Sequence, residues 1–117
     1  MQIRKLALLL SALCTAGAAL ADNAVRYAPE GGHITVGVSV SATGPAASLG
    51  IPEKNTVALL PSTIAGEKVK WVVLDDATDP TAGVKNARKM ISEDKADVLI
   101  AATATPVSMA ILEVAFE

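Results

Sequence analysis

Along Ile34–Val40 the side chains alternate strictly. Ile34, Val36, Val38 and Val40 share one face, and Thr35, Gly37 and Ser39 share the other. A period of two predicts a β-strand, and the small residues of the second face suit a sheet covered on both sides. The stretch then runs into a small-residue turn, and a helix is expected to open at Pro52. Proline fits the first helical position, and Glu53 beside it suits the positive end of the helix dipole. Val57, Leu60 and Ile64 follow at spacings of three and four, with an end or kink expected near Leu60 because Pro61 lacks a backbone donor. Ala65-Gly66 closes the connection. Val69–Leu74, with its β-branched and aromatic side chains, predicts a second strand. Asp79 then offers a cap and Pro80 a first helical residue. Val84, Ala87 and Ile91 form the expected buried stripe of that helix, while Lys85, Arg88, Lys89 and Glu93 form its solvated face. Val98–Ala102 reads as a third strand, short enough to be central. Thr105 is expected to cap a third helix that starts at Pro106 and is apolar almost all round.

Three strand-turn-helix units in succession predict an α/β fold, with a parallel sheet flanked by helices and three turns at one end of it. In open sheets of this kind ligands bind outside the carboxyl ends of the strands. The row of turns is therefore where function should sit.

The 117-residue length allows one small domain. Residues 1–21 have the layout of a secretory signal. Arg4 and Lys5 give a basic start, Leu6 to Ala18 an apolar run, and Ala19-Leu20-Ala21 a cleavage site, with cleavage expected after Ala21. The run is too short for a bilayer span of about 20 residues. Leu13 is a poor match to the small residue that precedes a lipidated cysteine, so Cys14 is expected to leave with the signal. The mature chain then carries no thiol, disulfide or thiolate metal site. Twelve acids against ten bases give a net charge of −2, and the signal removes two of the bases. Such a balance argues against nucleic-acid binding, which needs a basic face. Residues 22–33 have no period and contain Pro29, Gly31 and Gly32, which reads as a flexible lead-in. His33, the sole histidine, has no second imidazole to join it as a ligand or base.

Enzymatic signatures are missing. Ser41 occupies the second glycine position of a nucleophile elbow, and the segment from Gly44 to Gly50 has neither the spacing nor the lysine of a P-loop. Asp75, Asp76 and Asp79 lack the patterned loop and distal glutamate of a calcium site, so capping is their expected role and no metal or cofactor is expected. What the turns do offer is hydroxyls and backbone amides. Thr43, Ser48, Thr103, Thr105 and Ser108 flank helix starts, where unpaired amides and the helix dipole favour an anion. A small carboxylate suits this set of donors, although each hydroxyl could equally serve only its own helix.

The segments ITVGVSVSATGP, GIPEKNTVALLP, VVLDDATDPTAGVKNARKMI and DVLIAATATPVSMAI resemble, in this order, the periplasmic substrate-binding proteins of branched-chain amino-acid ABC transporters. The most specific pieces are the strand followed by Thr43-Gly44-Pro45 and the turn Asp75-Asp76-x-x-Asp79. The resemblance implies a partial Rossmann-like lobe of a type I periplasmic binding protein, with residues 34–117 forming the first part of the N-terminal lobe. It further implies a two-lobed receptor that holds a small amino acid or related carboxylate in the interlobe cleft. Closure would present that complex to a permease at the inner membrane. By this resemblance the third turn, at Ala102, Thr103, Ala104 and Thr105, contacts the ligand carboxylate, and the first turn, from Ser41 through Thr43 to Ser48, borders the cleft. One departure leaves the substrate open: the third turn often begins Gly-Ser in the family, whereas Ala101-Ala102 stands here.

These readings lead to the expectation of a non-enzymatic, periplasmic binding component for amino-acid transport. A truncated chain is expected too, because the second lobe and hinge crossings of the family have no counterpart here. A sensory or regulatory ligand-binding lobe is the alternative, which neighbouring kinase genes rather than permease and ATPase genes would favour. An enzyme on a similar scaffold would need a nucleophile and base that these residues do not supply.

Overall fold

The computed structural model describes residues 32–117, so the expectations for the signal and for most of the lead-in lie outside the described residues. Its elements in chain order are β1 (Ile34–Val40), α1 (Ala47–Val57), β2 (Thr63–Ile64), β3 (Glu67–Asp75), α2 (Pro80–Ser92), β4 (Val98–Ile100) and α3 (Thr105–Ala115). The sheet order is β2-β3-β1-β4. β1 runs parallel to both β3 and β4, with Ile34 opposite Val69, Val40 opposite Asp75, and Val36 opposite Val98. Helices flank this α/β sheet as the residue pattern predicts.

β1 is the centre of the sheet, and burial explains why. Its residues from Thr35 to Val40 are all buried. Val36, Val38 and Val40 form one core cluster with Val57 of α1 and Val69 of β3. The opposite face stays small so that α2 can come close: a Cβ on Gly37 would stand 2.6 Å from Met90 Sδ. A second cluster, Ala87, Ala102, Val107, Ile111 and Val114, joins α2 to α3 beyond that face. Asp97 ties the start of β4 to β1, accepting from the Thr35 amide at 2.7 Å and donating its own amide to the Thr35 carbonyl at 2.8 Å.

Several local expectations are corrected. α1 opens at Ala47 and not at Pro52, which lies inside the helix. The chain reverses at Gly44 (φ 77°), and the Ala47 amide donates to the Gly44 carbonyl at 3.1 Å, so the first helical turn forms before the proline is reached. The helix ends at Val57, leaving Leu60 exposed, and Ile64 belongs to β2. β2 pairs antiparallel with β3 across the two-residue loop Ala65-Gly66, where both residues have positive φ, as hairpin turns of this length require. On α2 the inward stripe is Gly83, Ala87 and Met90, while Ile91 is 40% exposed. β4 is shorter than expected, and among the described residues it lies at an edge because β1 takes the middle of the sheet. α3 starts one residue before Pro106, with Ala104 at the cap position and no side-chain capping bond, so Thr105 does not cap it. Asp79 does cap α2, accepting from the Thr81 amide at 2.8 Å, and Pro80 follows as expected.

Candidate functional site

Parallel pairing of β1 with β3 and β4 puts the turns after these three strands at one edge of the sheet. The first two turns are laced together. Thr43 donates its hydroxyl to Asp75 Oδ2 at 2.7 Å and its amide to Oδ1 at 3.2 Å. Thr78 donates its hydroxyl to the Thr43 carbonyl at 3.0 Å and accepts from the Ala46 amide at 3.1 Å. Gly44 makes this approach possible, since a Cβ there would fall on the Ala77 carbonyl oxygen.

Beneath the lacing lies a buried polar knot. The fully buried Asp76 accepts from Ser39 Oγ and Ser41 Oγ, each at 2.7 Å, and from the Thr78 amide at 2.9 Å. Ser39 and Ser41 lie on the same face of the β1 segment by the period of two, so both reach one carboxyl group. Each buried hydroxyl thus has an acceptor, which keeps the cost of burying it small.

The third turn is joined to α1 instead. Thr103 donates its hydroxyl to Glu53 Oε2 at 2.5 Å, across 50 residues of sequence. Ser108 Oγ donates to the Ala102 carbonyl.

The expected contact residues therefore divide. Ser41, expected to border the cleft, is 0% exposed and donates to Asp76, so its hydroxyl supports the turn from below. Ala102 places its methyl in the second core cluster, and its carbonyl is taken by Ser108. Thr43 and Thr103 are exposed at the edge, but each hydroxyl already donates to a carboxylate. Ser48 and Thr105 are exposed too, and among the described residues their hydroxyls have no hydrogen-bond partner. Glu53 was not legible as a member of this edge, because no local pattern announces a partner 50 residues away. Asp76 had a faint signal in the i, i+2 serines.

Burial pushes the Asp75 carboxyl up, but the Thr43 hydroxyl and the amides of Ala77, Thr43 and Ala42 outweigh it and hold the group below its ordinary value. Because the folded value is the lower one, this contribution to stability is complete above about pH 4 and disappears as pH falls through the folded value. The variant Asp75→Asn should accordingly show a shallower loss of melting temperature between roughly pH 5 and pH 2 than the parent. Superimposable acid limbs would mean that the lacing does not depend on this charge.

Among the described residues no three metal-ligating side chains come together. Asp75 and Asp76 turn to different donors, and Asp79 caps α2. A groove of about 510 Å³ runs along α2, but neither it nor the smaller grooves near it include Thr43, Ser48, Thr103 or Thr105.

The family described as periplasmic binding protein matches residues 33–117. The chain belongs to this family. A similar solved structure is an extracellular ligand-binding receptor from Rhodopseudomonas palustris, 52% identical with a TM-score of 0.68, aligned over 71% of this chain and 23% of that one. A solute binding protein of an ABC transporter from R. palustris BisB5, solved with 3,4-dihydroxy benzoic acid, is 30% identical (TM-score 0.62; 71% of this chain and 24% of that one). A leucine binding protein from Thermotoga maritima is 27% identical (TM-score 0.62; 70% and 24%). None of the curated protein sequences matches this chain significantly. The periplasmic binding protein chain described here thus spans about a quarter of the length of the structures it resembles, and the fold is that of the type I members.

Proposed function

We propose that this chain is the first part of the N-terminal lobe of an extracytoplasmic, non-enzymatic solute-binding component of an ABC transporter. It supplies one wall of an interlobe cleft, captures a small carboxylate there, and delivers it to a permease. The observation that carries the reading is the family match across residues 33–117. Two relatives are named for leucine and for 3,4-dihydroxy benzoic acid, and both compounds are small carboxylates. A branched-chain amino acid is the specific ligand proposed.

On this reading the hydroxyls of Ser48 and Thr105 are the contacts open to the ligand, with backbone amides of the turn from Ala102 to Thr105. Thr43 and Thr103 line the wall, and Ser41 holds it in place. Donors at the start of α3 have the polarity a carboxylate needs. The layout of residues 1–21, which reads as a secretory signal, supports a periplasmic location.

Isothermal titration of the full-length protein with leucine, isoleucine, valine, benzoate and 3,4-dihydroxybenzoate tests the proposal. The expected result is one-to-one binding in the micromolar range or tighter for at least one of them. An absence of heat with every one of these carboxylates would sink it.

A further inference from the structure

The proposed wall contains a negative charge at the turn expected to hold the ligand's own negative charge. Glu53 projects from α1 to Thr103, and its Oε2 takes the single proton of the Thr103 hydroxyl at 2.5 Å. That hydroxyl cannot donate to a ligand carboxylate while it donates to Glu53. A ligand carboxylate seated on Thr103 would also lie within a few bond lengths of the Glu53 oxygens, where like charges repel.

Glu53 differs from the other carboxylates of the edge. Both oxygens of Asp75 take donors, and Asp76 is saturated and sealed in the core. Glu53 is only half-buried, and among the described residues Thr103 is its one hydrogen-bond partner and no cation pairs with it. Its second oxygen therefore remains open to a donor.

We infer that Glu53 is a specificity-determining residue of the cleft, one that requires its ligand to bring a hydrogen-bond donor as well as a carboxylate. The inference rests on the proposed solute-binding function and names the ligand class within it. The ligand's ammonium or hydroxyl group meets the open oxygen of Glu53. Its carboxylate is held away from Glu53 by the unengaged donors of Ser48 and Thr105. A carboxylate with no donor leaves Glu53 unpaired against the ligand, and a site discriminates most sharply when the wrong ligand strands a polar group.

The test is Glu53→Gln in the full-length protein, titrated with leucine, 3,4-dihydroxybenzoate and benzoate at pH 7. The amide keeps an acceptor for Thr103 and the shape of the side chain, so the fold is retained, with an unchanged thermal melt as the check. The unaltered protein should prefer a donor-bearing acid over benzoate by at least about ten-fold, as expected for a hydrogen bond to a charged group. Glu53→Gln should shrink that preference by about the same factor. Selective loss for leucine identifies the donor as an ammonium, and selective loss for 3,4-dihydroxybenzoate identifies it as a hydroxyl. A preference left within about two-fold of the parent's, set against the ten-fold expected, would overturn the role of Glu53 while leaving the solute-binding function intact. Failure of the unaltered protein to bind any of the three would overturn both.

Discussion

Replacing Asp76 with alanine should destabilise the full-length protein by about 4 kcal/mol, measured as a shift of the urea unfolding midpoint. Asp76 is 0% exposed and accepts three hydrogen bonds, from Ser39, Ser41 and Thr78. Deleting its carboxyl group strands two buried hydroxyls and an amide, and each buried polar group left without a partner costs about 1–3 kcal/mol. Water entering the vacated space would recover part of the loss, which is why the expected figure sits below the full sum. The effect should be strongly non-additive. Removing Ser39 and Ser41 hydroxyls together with Asp76 (Ser39→Ala, Ser41→Ala, Asp76→Ala) leaves fewer orphaned groups, so the triple variant should be more stable than the single one. A single variant within about 1 kcal/mol of the parent would show that this knot is not what anchors the first two turns.

Gly50→Ala tests the other close approach at the edge. On an exposed helix the change would stabilise by about 1 kcal/mol through helix propensity. Here Gly50 is buried against the end of β1, and a Cβ would fall on the carbonyl of Ser41 and 2.7 Å from the Ala42 amide nitrogen. These are backbone atoms that no rotamer change moves aside. α1 must therefore shift bodily, at a cost of about 3 kcal/mol that outweighs the propensity gain. The shift should also carry Glu53 away from Thr103, so the titration of this variant should show weakened binding together with lowered stability. A variant as stable as the parent would mean that α1 is free to slide on β1.

The fold was legible in the chain wherever a period or a cap had a local cause. Alternation in Ile34–Val40 identifies β1, and Asp79-Pro80 marks the start of α2 to the residue. The errors arose where tertiary contacts decide. Pro52 looks like a helix start, yet the Gly44 turn begins α1 five residues earlier. Ile91 and Met90 both fit the period of α2 closely enough, and Met90 is buried because Gly37 leaves a hollow opposite it. The two-residue strand at Thr63–Ile64 is too short to carry a pattern, and its turn opens with alanine where a hairpin usually signals with asparagine or glycine.

At the candidate site, the row of turns and its hydroxyls could be read in advance. The acceptors of those hydroxyls could not, because each lies between 32 and 50 residues away in the chain. Sequence supplies the donors as residue types, but the fold determines which are spent internally. That allocation separates Ser41, Thr43 and Thr103 from Ser48 and Thr105.

The lacing of the first two turns has a kinetic side. Thr43, Thr78 and Asp75 hold one another in fixed positions before any ligand arrives. A wall whose side chains are already ordered loses little conformational freedom on association, so more of each contact's free energy is available for holding the ligand. On the proposed solute-binding function, such a surface needs no rearrangement to meet its solute, so association is not slowed by a conformational change on this side of the cleft.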